Sequence, residues 1–255
     1  MLIDIHCHVD FYPEEKIKKM VAECKKKKVI FVNQGTRPGS LEKVVKLNED
    51  YPEIAKIALG IYPLDALKLS DKELEERINF IGKNAGKIVA IGEVGMDFHE
   101  EKTNDEKSRK KQEENFIKFI KLAKELSKPI IVHSRKAEKE CIDILEREKA
   151  KKVIMHCFNG NFKLVQRIID NGWSLTIPTS VTRSEHFQKI IEITPIEQLF
   201  CETDSPYLHP DKTKRDNTPA NVEFGYKAIA RIKKLPLKEV ELALKDNFDN
   251  LFQVK

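Results

Sequence analysis

The strongest constraint on the fold is an eightfold repetition of a short apolar run followed by an amphipathic segment. Strand-like runs occupy residues 2–9, 29–33, 54–59, 88–93, 129–133, 152–156, 173–177 and 198–202. Helix-like spacing of apolar side chains occurs at residues 14–27, 40–48, 71–83, 105–126, 138–148, 162–171, 184–193, 219–233 and 237–251. Because eight strands alternating with helices are typical of one architecture, the sequence predicts an α/β fold, a (β/α)8 barrel of the TIM type.

An open, doubly wound α/β sheet is the alternative fold. It fits less well, because no Gly-x-Gly-x-x-Gly turn follows the first strand. The 255 residues contain no linker rich in Gly, Ser or Pro. We therefore expect residues 1–255 to form a single domain.

Composition limits the environment more than the activity. Hydrophobic residues make up 40% of the chain, yet no apolar run approaches the roughly 20 residues that span a bilayer. The N-terminus leads directly into a strand, without a signal or transit peptide, so we expect a cytoplasmic protein with no membrane partner. Five scattered cysteines do not indicate a disulfide framework. A net charge of +5 permits a polyanionic substrate without requiring one.

The opening segment Asp4-Ile-His-Cys-His8 carries the first candidate metal ligands. In a strand, side chains alternate between two faces, so we expect Asp4, His6 and His8 to share one face and Ile3, Ile5 and Cys7 the other. Two imidazoles two residues apart can bind one ion, and an Asp beside them can orient a ligand or a loop. Two ordinary hydrogen-bonded histidines at a strand end fit this short pattern equally well.

Four further ligand-type residues follow later strands. Glu93, His133 and His156 end the fourth, fifth and sixth strands, and Asp204 lies just past the eighth. Each also has a simpler reading, such as an ion pair, a helix cap or an Asx turn. However, the carboxyl ends of all barrel strands meet at one face, so these residues converge there with the two N-terminal histidines.

Four histidines and two carboxylates exceed the needs of one ion, and they suit two divalent ions with Glu93 between them. Imidazole and carboxylate ligands fit Zn²⁺ or Mn²⁺, whereas Mg²⁺ would bind more weakly. Such a centre suggests hydrolysis by a metal-activated water. Asp204 is then the residue that takes a proton from the water and passes it to the leaving group, with Glu93 as the second catalytic residue.

Several segments together resemble the TatD-type metal-dependent hydrolases, which are related to the amidohydrolase superfamily. The segments are Asp4-Ile-His-Cys-His8, Ile91-Gly-Glu-Val-Gly-Met-Asp97, Val132-His-Ser-Arg135, His156-Cys-Phe-Asn-Gly160, Glu202-Thr-Asp-Ser-Pro-Tyr207 and Asn217-Thr-Pro219. The resemblance spans almost the whole chain. It implies a (β/α)8 barrel, a divalent-metal site at the six residues named above, and deoxyribonuclease activity that trims DNA from an end.

One loop departs from that family. Its members often have Gly-x-His-Pro-His after the third strand, whereas this chain reads Gly60-Ile-Tyr-Pro-Leu64. Tyr62 and Leu64 thus replace two histidines that would face a substrate phosphate. The departure leaves the metal ligands in place and puts the substrate range and the rate in question.

Other residues are candidates for substrate binding. A guanidinium binds phosphate in bidentate fashion, and a tyrosine stacks on a base or donates a hydrogen bond. The candidates are Arg135, Tyr62, Tyr207, Arg215 and Asn217. Each is also compatible with an ordinary surface or helix-start position.

Three functions are therefore compared. The first is a deoxyribonuclease with DNA, or another phosphodiester, as its partner and with two divalent ions (Mg²⁺, Mn²⁺ or Zn²⁺). The second is a hydrolase of small esters, amides or phosphoesters on the same barrel, because barrels host many chemistries. The third is a weakly catalytic barrel that binds nucleic acid. No obligate protein partner is evident from the sequence.

Metallophosphatases of the PHP type also open with Asp-x-His-x-His, but they carry further histidines that this chain lacks at matching places.

Overall fold

Eight parallel strands lie side by side in chain order in the computed structural model, which describes residues 1–100 and 105–253. The strands are β1 (Leu2–Cys7), β2 (Val29–Gly35), β3 (Ala55–Leu59), β4 (Ala90–Gly95), β5 (Ile130–His133), β6 (Val153–Met155), β7 (Ser174–Pro178) and β8 (Leu199–Glu202). Each strand pairs in parallel with the next. The predicted (β/α)8 architecture is confirmed.

Ten α-helices are described around and after these strands. They are α1 (Glu14–Lys27), α2 (Leu41–Asp50), α3 (Pro63–Ala66), α4 (Asp71–Lys83), α5 (Glu106–Glu125), α6 (Glu138–Arg147), α7 (Phe162–Asp170), α8 (Glu185–Ile193), α9 (Glu223–Lys233) and α10 (Leu237–Phe252). None of the described helices is both long and apolar enough to cross a membrane.

Several boundaries differ from the sequence prediction, and three differences bear on the site. Strand β1 ends at Cys7 instead of residue 9, because Val9–Phe11 forms a 3-10 turn. Strand β4 is shifted two residues along the chain, so Glu93 lies inside it. The short helix α3 was not predicted, since its four residues, which begin with a proline, are too few to show helical periodicity. Residues 101–104 of the predicted loop 94–104 lie outside the described residues.

Backbone and side-chain hydrogen bonds join β8 to β1. The N–H of Asp204 donates to the carbonyl of His6 at 2.9 Å, and the N–H of His8 donates to the carbonyl of Ser205 at 2.7 Å. Below these bonds, the Asp4 carboxylate accepts the N–H of Thr203 at 2.9 Å and also its hydroxyl. This junction places Asp204 directly beside the two N-terminal histidines.

Apolar side chains pack in two layers, one on each face of the sheet. The inner one fills the barrel with Ile3, Ile5, Val32, Ala58, Val89, Ala90, Ile131, Ile154, Phe200, Phe248 and Phe252. Phe252 of α10 packs edge-on against Phe200, the second residue of β8, so α10 closes the end where the strands begin. The outer layer lies between strands and helices and includes Cys7 and Val9. The opposite end of the barrel, where the strands end, remains open for the candidate site.

The predicted alternation along the first strand is wrong. Ile3 and Ile5 belong to the inner layer, whereas Cys7 belongs to the outer one. The pairing register of β1 with β2 shifts between Asp4 and Cys7, which changes the face of every later side chain. Asp4 therefore lies on the outer face, bonded to Thr203, while His6 joins the inward histidines.

Candidate metal centre

A cavity of about 960 Å³ opens at the carboxyl ends of the strands. His8, Glu93, His133, His156 and Asp204 line its floor. His6 lies behind them and has no exposed surface. The structure thus brings together all six residues proposed as metal ligands, from five different strands or the turns that follow them.

Four donor atoms form the first group. The Nε2 atoms of His6 and His8 are 3.3 Å apart. Oε2 of Glu93 lies 3.4 Å from Nε2 of His6 and 3.5 Å from Nε2 of His8. Oδ1 of Asp204 lies 3.7 and 3.5 Å from the same two nitrogens. A tetrahedral ion with ligands at about 2.0–2.2 Å needs donors roughly 3.3–3.6 Å apart, so this group fits one divalent ion.

A second group of donors lies on the other side of Glu93. Oε1 of Glu93 is 2.7 Å from Nδ1 of His133 and 3.8 Å from Nε2 of His156. These three residues form a separate cluster able to hold a metal. Glu93 therefore turns one carboxylate oxygen toward each group.

Two further carboxylates hold the imidazoles from behind. Oε2 of Glu202 lies 2.7 Å from Nδ1 of His156, and Oδ2 of Asp97 lies 2.9 Å from Nε2 of His133. An imidazole that donates one N–H to a carboxylate presents its other nitrogen as a lone pair, with its orientation fixed. Sequence reasoning did not assign these roles, although both carboxylates stand beside predicted ligands in the quoted segments.

The pKa shifts follow from this packing. Burial alone would raise the pKa of Glu93, but the neighbouring histidines outweigh it and hold the pKa well below its usual value. Burial would lower the pKa values of His8, His133 and His156, but facing carboxylates outweigh it and raise all three. For His6, burial and the nearby His156 together lower the pKa. The centre therefore holds ionised carboxylates that attract cations.

Tyr62 and Asp97 extend the network toward the cavity wall. The hydroxyl of Tyr62 donates to Oδ2 of Asp97 at 2.5 Å. Burial alone would raise the pKa of Asp97, but hydrogen bonds from His133 and Tyr62 outweigh it and lower the pKa to about 2. Burial and the bond to Asp97 raise the pKa of Tyr62, so its phenol stays protonated.

The predicted substrate residues divide into two sets. Arg135, Tyr62 and Tyr207 line the cavity. Arg215 is exposed but is not among the residues that line it. The structure does not bring Asn217 to the cavity either: its side chain is buried, and its amide donates to the carbonyls of Thr203 and Tyr207 at 2.9 and 2.8 Å. Asn217 holds the loop that carries Asp204.

Sequence reasoning missed one cation at the cavity rim, Arg37. The guanidinium of Arg37 stacks on the ring of Phe11 at 3.7 Å, and Phe11 stacks in turn on His8 at 4.7 Å. Among residues 1–100 and 105–253, no carboxylate lies within 4.0 Å of the guanidinium of Arg37 or of Arg135. The available signal was position, since Arg37 follows the end of β2 by two residues.

A (β/α)8 barrel with histidines and carboxylates gathered at its strand ends defines the class of metal-dependent hydrolases. Comparison with known proteins identifies the family. The chain belongs to the family described as TatD related DNase, whose model matches residues 3–253.

Similar proteins agree with this assignment. The chain is 37% identical over 252 residues to an uncharacterized metal-dependent hydrolase of Methanocaldococcus jannaschii, covering 98% of this chain and 96% of that relative. It is 32% identical over 261 residues to deoxyribonuclease TATDN3 of Homo sapiens, covering 98% and 94%. The crystal structure of YJJV, a TatD homolog from Escherichia coli, matches with a TM-score of 0.90, 26% identity and coverage of 100% and 98%. The predicted family and the predicted hydrolytic enzyme are confirmed.

Proposed function

We propose that this hydrolase cleaves phosphodiester bonds of DNA from a strand end, with two divalent ions in the centre. The observation that carries the proposal is the orientation of Glu93. Its Oε2 faces the His6 and His8 group, and its Oε1 faces the His133 and His156 group. Two donor groups that share one carboxylate suit a pair of ions rather than one.

The bound ions would supply a water of lowered pKa and would neutralise charge on the attacked phosphate. Asp204 is the base in this proposal. Its side chain reaches the cavity floor, and its pKa is lowered because hydrogen bonding to His8 and the charges of nearby histidines outweigh burial. The ionised carboxylate takes the proton from the attacking water and returns it to the leaving oxygen.

The cavity rim supplies contacts for a nucleic-acid strand. Arg37 and Arg135 line the cavity after β2 and β5, and both residues are exposed. Guanidinium groups bind phosphate oxygens in bidentate fashion. Tyr207 is 54% exposed beside Asp204, so its ring is available for stacking on a base. The name of the human relative, a deoxyribonuclease, supports DNA as the substrate.

A hydrolase of small phosphoesters or other esters is the second candidate. One observation favours it: the hydroxyl of Tyr62 is taken by Asp97, and Leu64 is apolar, so this loop offers a phosphate little hydrogen bonding. The barrel that only binds nucleic acid is less well supported, because a binding role does not require six assembled donors.

An assay on end-labelled single-stranded DNA tests the proposal. Wild type, Glu93→Ala and Asp204→Asn are compared with Mg²⁺, Mn²⁺ and Zn²⁺, beside a small chromogenic phosphodiester. Glu53→Ala, a change at an exposed residue in the turn before β3, is the control. We expect stepwise shortening by wild type and the control, and loss of activity in both site variants. Turnover of the small diester without DNA cleavage would favour the second candidate, and equal activity in Glu93→Ala would refute both.

A further inference from the structure

Tyr62 touches the metal centre in two ways. Its hydroxyl donates to Oδ2 of Asp97 at 2.5 Å, and that same oxygen lies 2.9 Å from Nε2 of His133. Its ring also packs edge-on against the imidazole of His133, with centroids 5.0 Å apart and planes at 71°. A residue in the loop after β3 thus contacts a candidate ligand at the end of β5.

The other hydrogen bonds of Asp97 are made with His99 and Gln112. Its Oδ1 accepts the N–H of His99 at 2.8 Å. Its own N–H donates to Oε1 of Gln112 at 2.7 Å, and the Gln112 amide donates to its carbonyl at 3.0 Å. Asp97 is only 1% exposed. Oδ2 is the oxygen that Asp97 shares between His133 and Tyr62. The position of Oδ2 therefore depends on the hydrogen bond from Tyr62.

The shared oxygen determines what His133 can offer. When Nε2–H of the imidazole donates to Asp97, its Nδ1 carries the lone pair. That Nδ1 faces Oε1 of Glu93 at 2.7 Å, inside the second donor group. Any loosening of Asp97 lets the imidazole rotate and moves this lone pair away from the group.

We propose that Tyr62 is a positioning residue for the metal centre: through Asp97 it fixes the imidazole of His133 as a ligand of the second ion. The inference rests on the proposed two-ion function. The hydroxyl of Tyr62 thus serves the metal centre and not a substrate phosphate. The adjacent Leu64 fits this role for the loop, because it lines the cavity without a polar group.

Metal titration of chelator-treated protein by calorimetry tests the inference without any substrate. His133→Ala first identifies which Mn²⁺ or Zn²⁺ binding event depends on this imidazole. Tyr62→Phe keeps the ring and removes only the hydroxyl. We expect it to weaken that event about tenfold, the lower end of the range for partners that orient metal ligands, and to leave the other event unchanged. Tyr51→Phe, at the opposite end of the barrel before β3, is the matched control and should change neither.

A second variant separates positioning from general damage. Asp97→Asn should weaken the same binding event, and adding Tyr62→Phe to it should have little further effect, because both changes break one chain of contacts. Independent, additive effects would overturn the inference. So would unchanged metal binding in Tyr62→Phe accompanied by a raised KM for an oligonucleotide, since that pattern marks a substrate contact. If His133→Ala binds as many ions as wild type does, the inference is overturned as well. Failure to cleave DNA alone would refute only the proposed substrate, because the titration needs none.

Discussion

Nδ1 of His156 lies 2.7 Å from a carboxylate oxygen of Glu202, and both side chains are almost completely buried. Glu202 ends β8, two residues before Asp204, so one strand end supplies both a candidate ligand and the group that orients another. The bond fixes the imidazole so that Nε2 points toward Oε1 of Glu93. The geometry of the second donor group thus depends on a residue that contacts no ion in the proposed centre.

Replacing Glu202 should therefore weaken metal binding. We expect Glu202→Gln, which keeps the shape and removes the charge, to lower affinity for Mn²⁺ or Zn²⁺ by about tenfold to a hundredfold. Calorimetric titration measures the change. Glu197→Gln, at an exposed position in the turn before the same strand, is the control and should bind as wild type does. An affinity for Glu202→Gln equal to that of the control would show that Glu202 does not orient His156.

Metal should stabilise the folded protein. A ligand that binds only the native state at a hundred times its Kd adds about 2.7 kcal/mol per ion. In a domain of this size each kcal/mol raises the melting temperature by roughly 2–4 °C, so excess Mn²⁺ should raise Tm by about 5–10 °C for each ion, or roughly 10–20 °C for two. Differential scanning calorimetry with and without chelator measures this. In Glu93→Ala, which lacks the shared carboxylate, most of the shift should disappear; a full shift would place the ions elsewhere.

Metal binding should release protons. Facing carboxylates raise the pKa values of His8, His133 and His156, so the metal-free centre binds more protons near neutral pH than free histidines would. A metal requires the unprotonated nitrogens and displaces those protons. Affinity should therefore fall as pH decreases. Titrations in buffers of different ionisation enthalpy count the protons released, and a binding enthalpy independent of the buffer would contradict the expectation.

Asp4 should make the stability of the metal-free protein depend on pH. Burial raises its pKa well above the usual value, although hydrogen bonds from Thr203 oppose the shift. The folded state therefore binds this proton more tightly than the unfolded state. The contribution of Asp4 to the free energy of unfolding is full below the unfolded pKa of about 3.9. It is lost as pH rises through the folded pKa.

Urea unfolding of Asp4 variants from pH 4 to 8 measures that contribution. Asp4→Asn stays neutral and can still accept the N–H of Thr203, so it should be at least as stable as wild type at pH 7. Asp4→Ala should cost about 1–3 kcal/mol at low pH, because the buried N–H loses its acceptor, and should cost less as pH rises through the folded pKa of Asp4. If Asp4→Asn destabilises the protein at pH 7 as much as Asp4→Ala does, the ionised carboxylate is the native form.

The sequence was sufficient to predict the barrel, because strand and helix periodicities are local and repeat eight times. It was also sufficient to bring the six candidate ligands to one face, since parallel strands of a barrel share their ends. It could not predict the face of Asp4, which depends on a register shift between β1 and β2. Nor could it assign Asp97 and Glu202, because their partners His133 and His156 lie 36 and 46 residues away.

Tyr62 and Asn217 show the same limit for the substrate residues. Their side-chain types suit contact with DNA, but their hydrogen bonds point elsewhere, Tyr62 to Asp97 and Asn217 to the loop carbonyls. The direction of a polar side chain is set by tertiary neighbours that the local pattern does not record. Arg37 was overlooked for the converse reason: its stacking on Phe11 joins two turns that are distant in sequence.

The most direct test of the proposed two-ion centre is to measure DNA cleavage against the molar ratio of metal to chelator-treated protein. End-labelled single-stranded DNA is the substrate, and protein is held well above the Kd for the ion so that added metal binds stoichiometrically. We expect a rate that is near zero without metal, stays low at one equivalent and saturates at two. Full activity at one equivalent would contradict the paired centre around Glu93. Absence of cleavage at every ratio, from protein that binds two ions, would contradict DNA as the substrate.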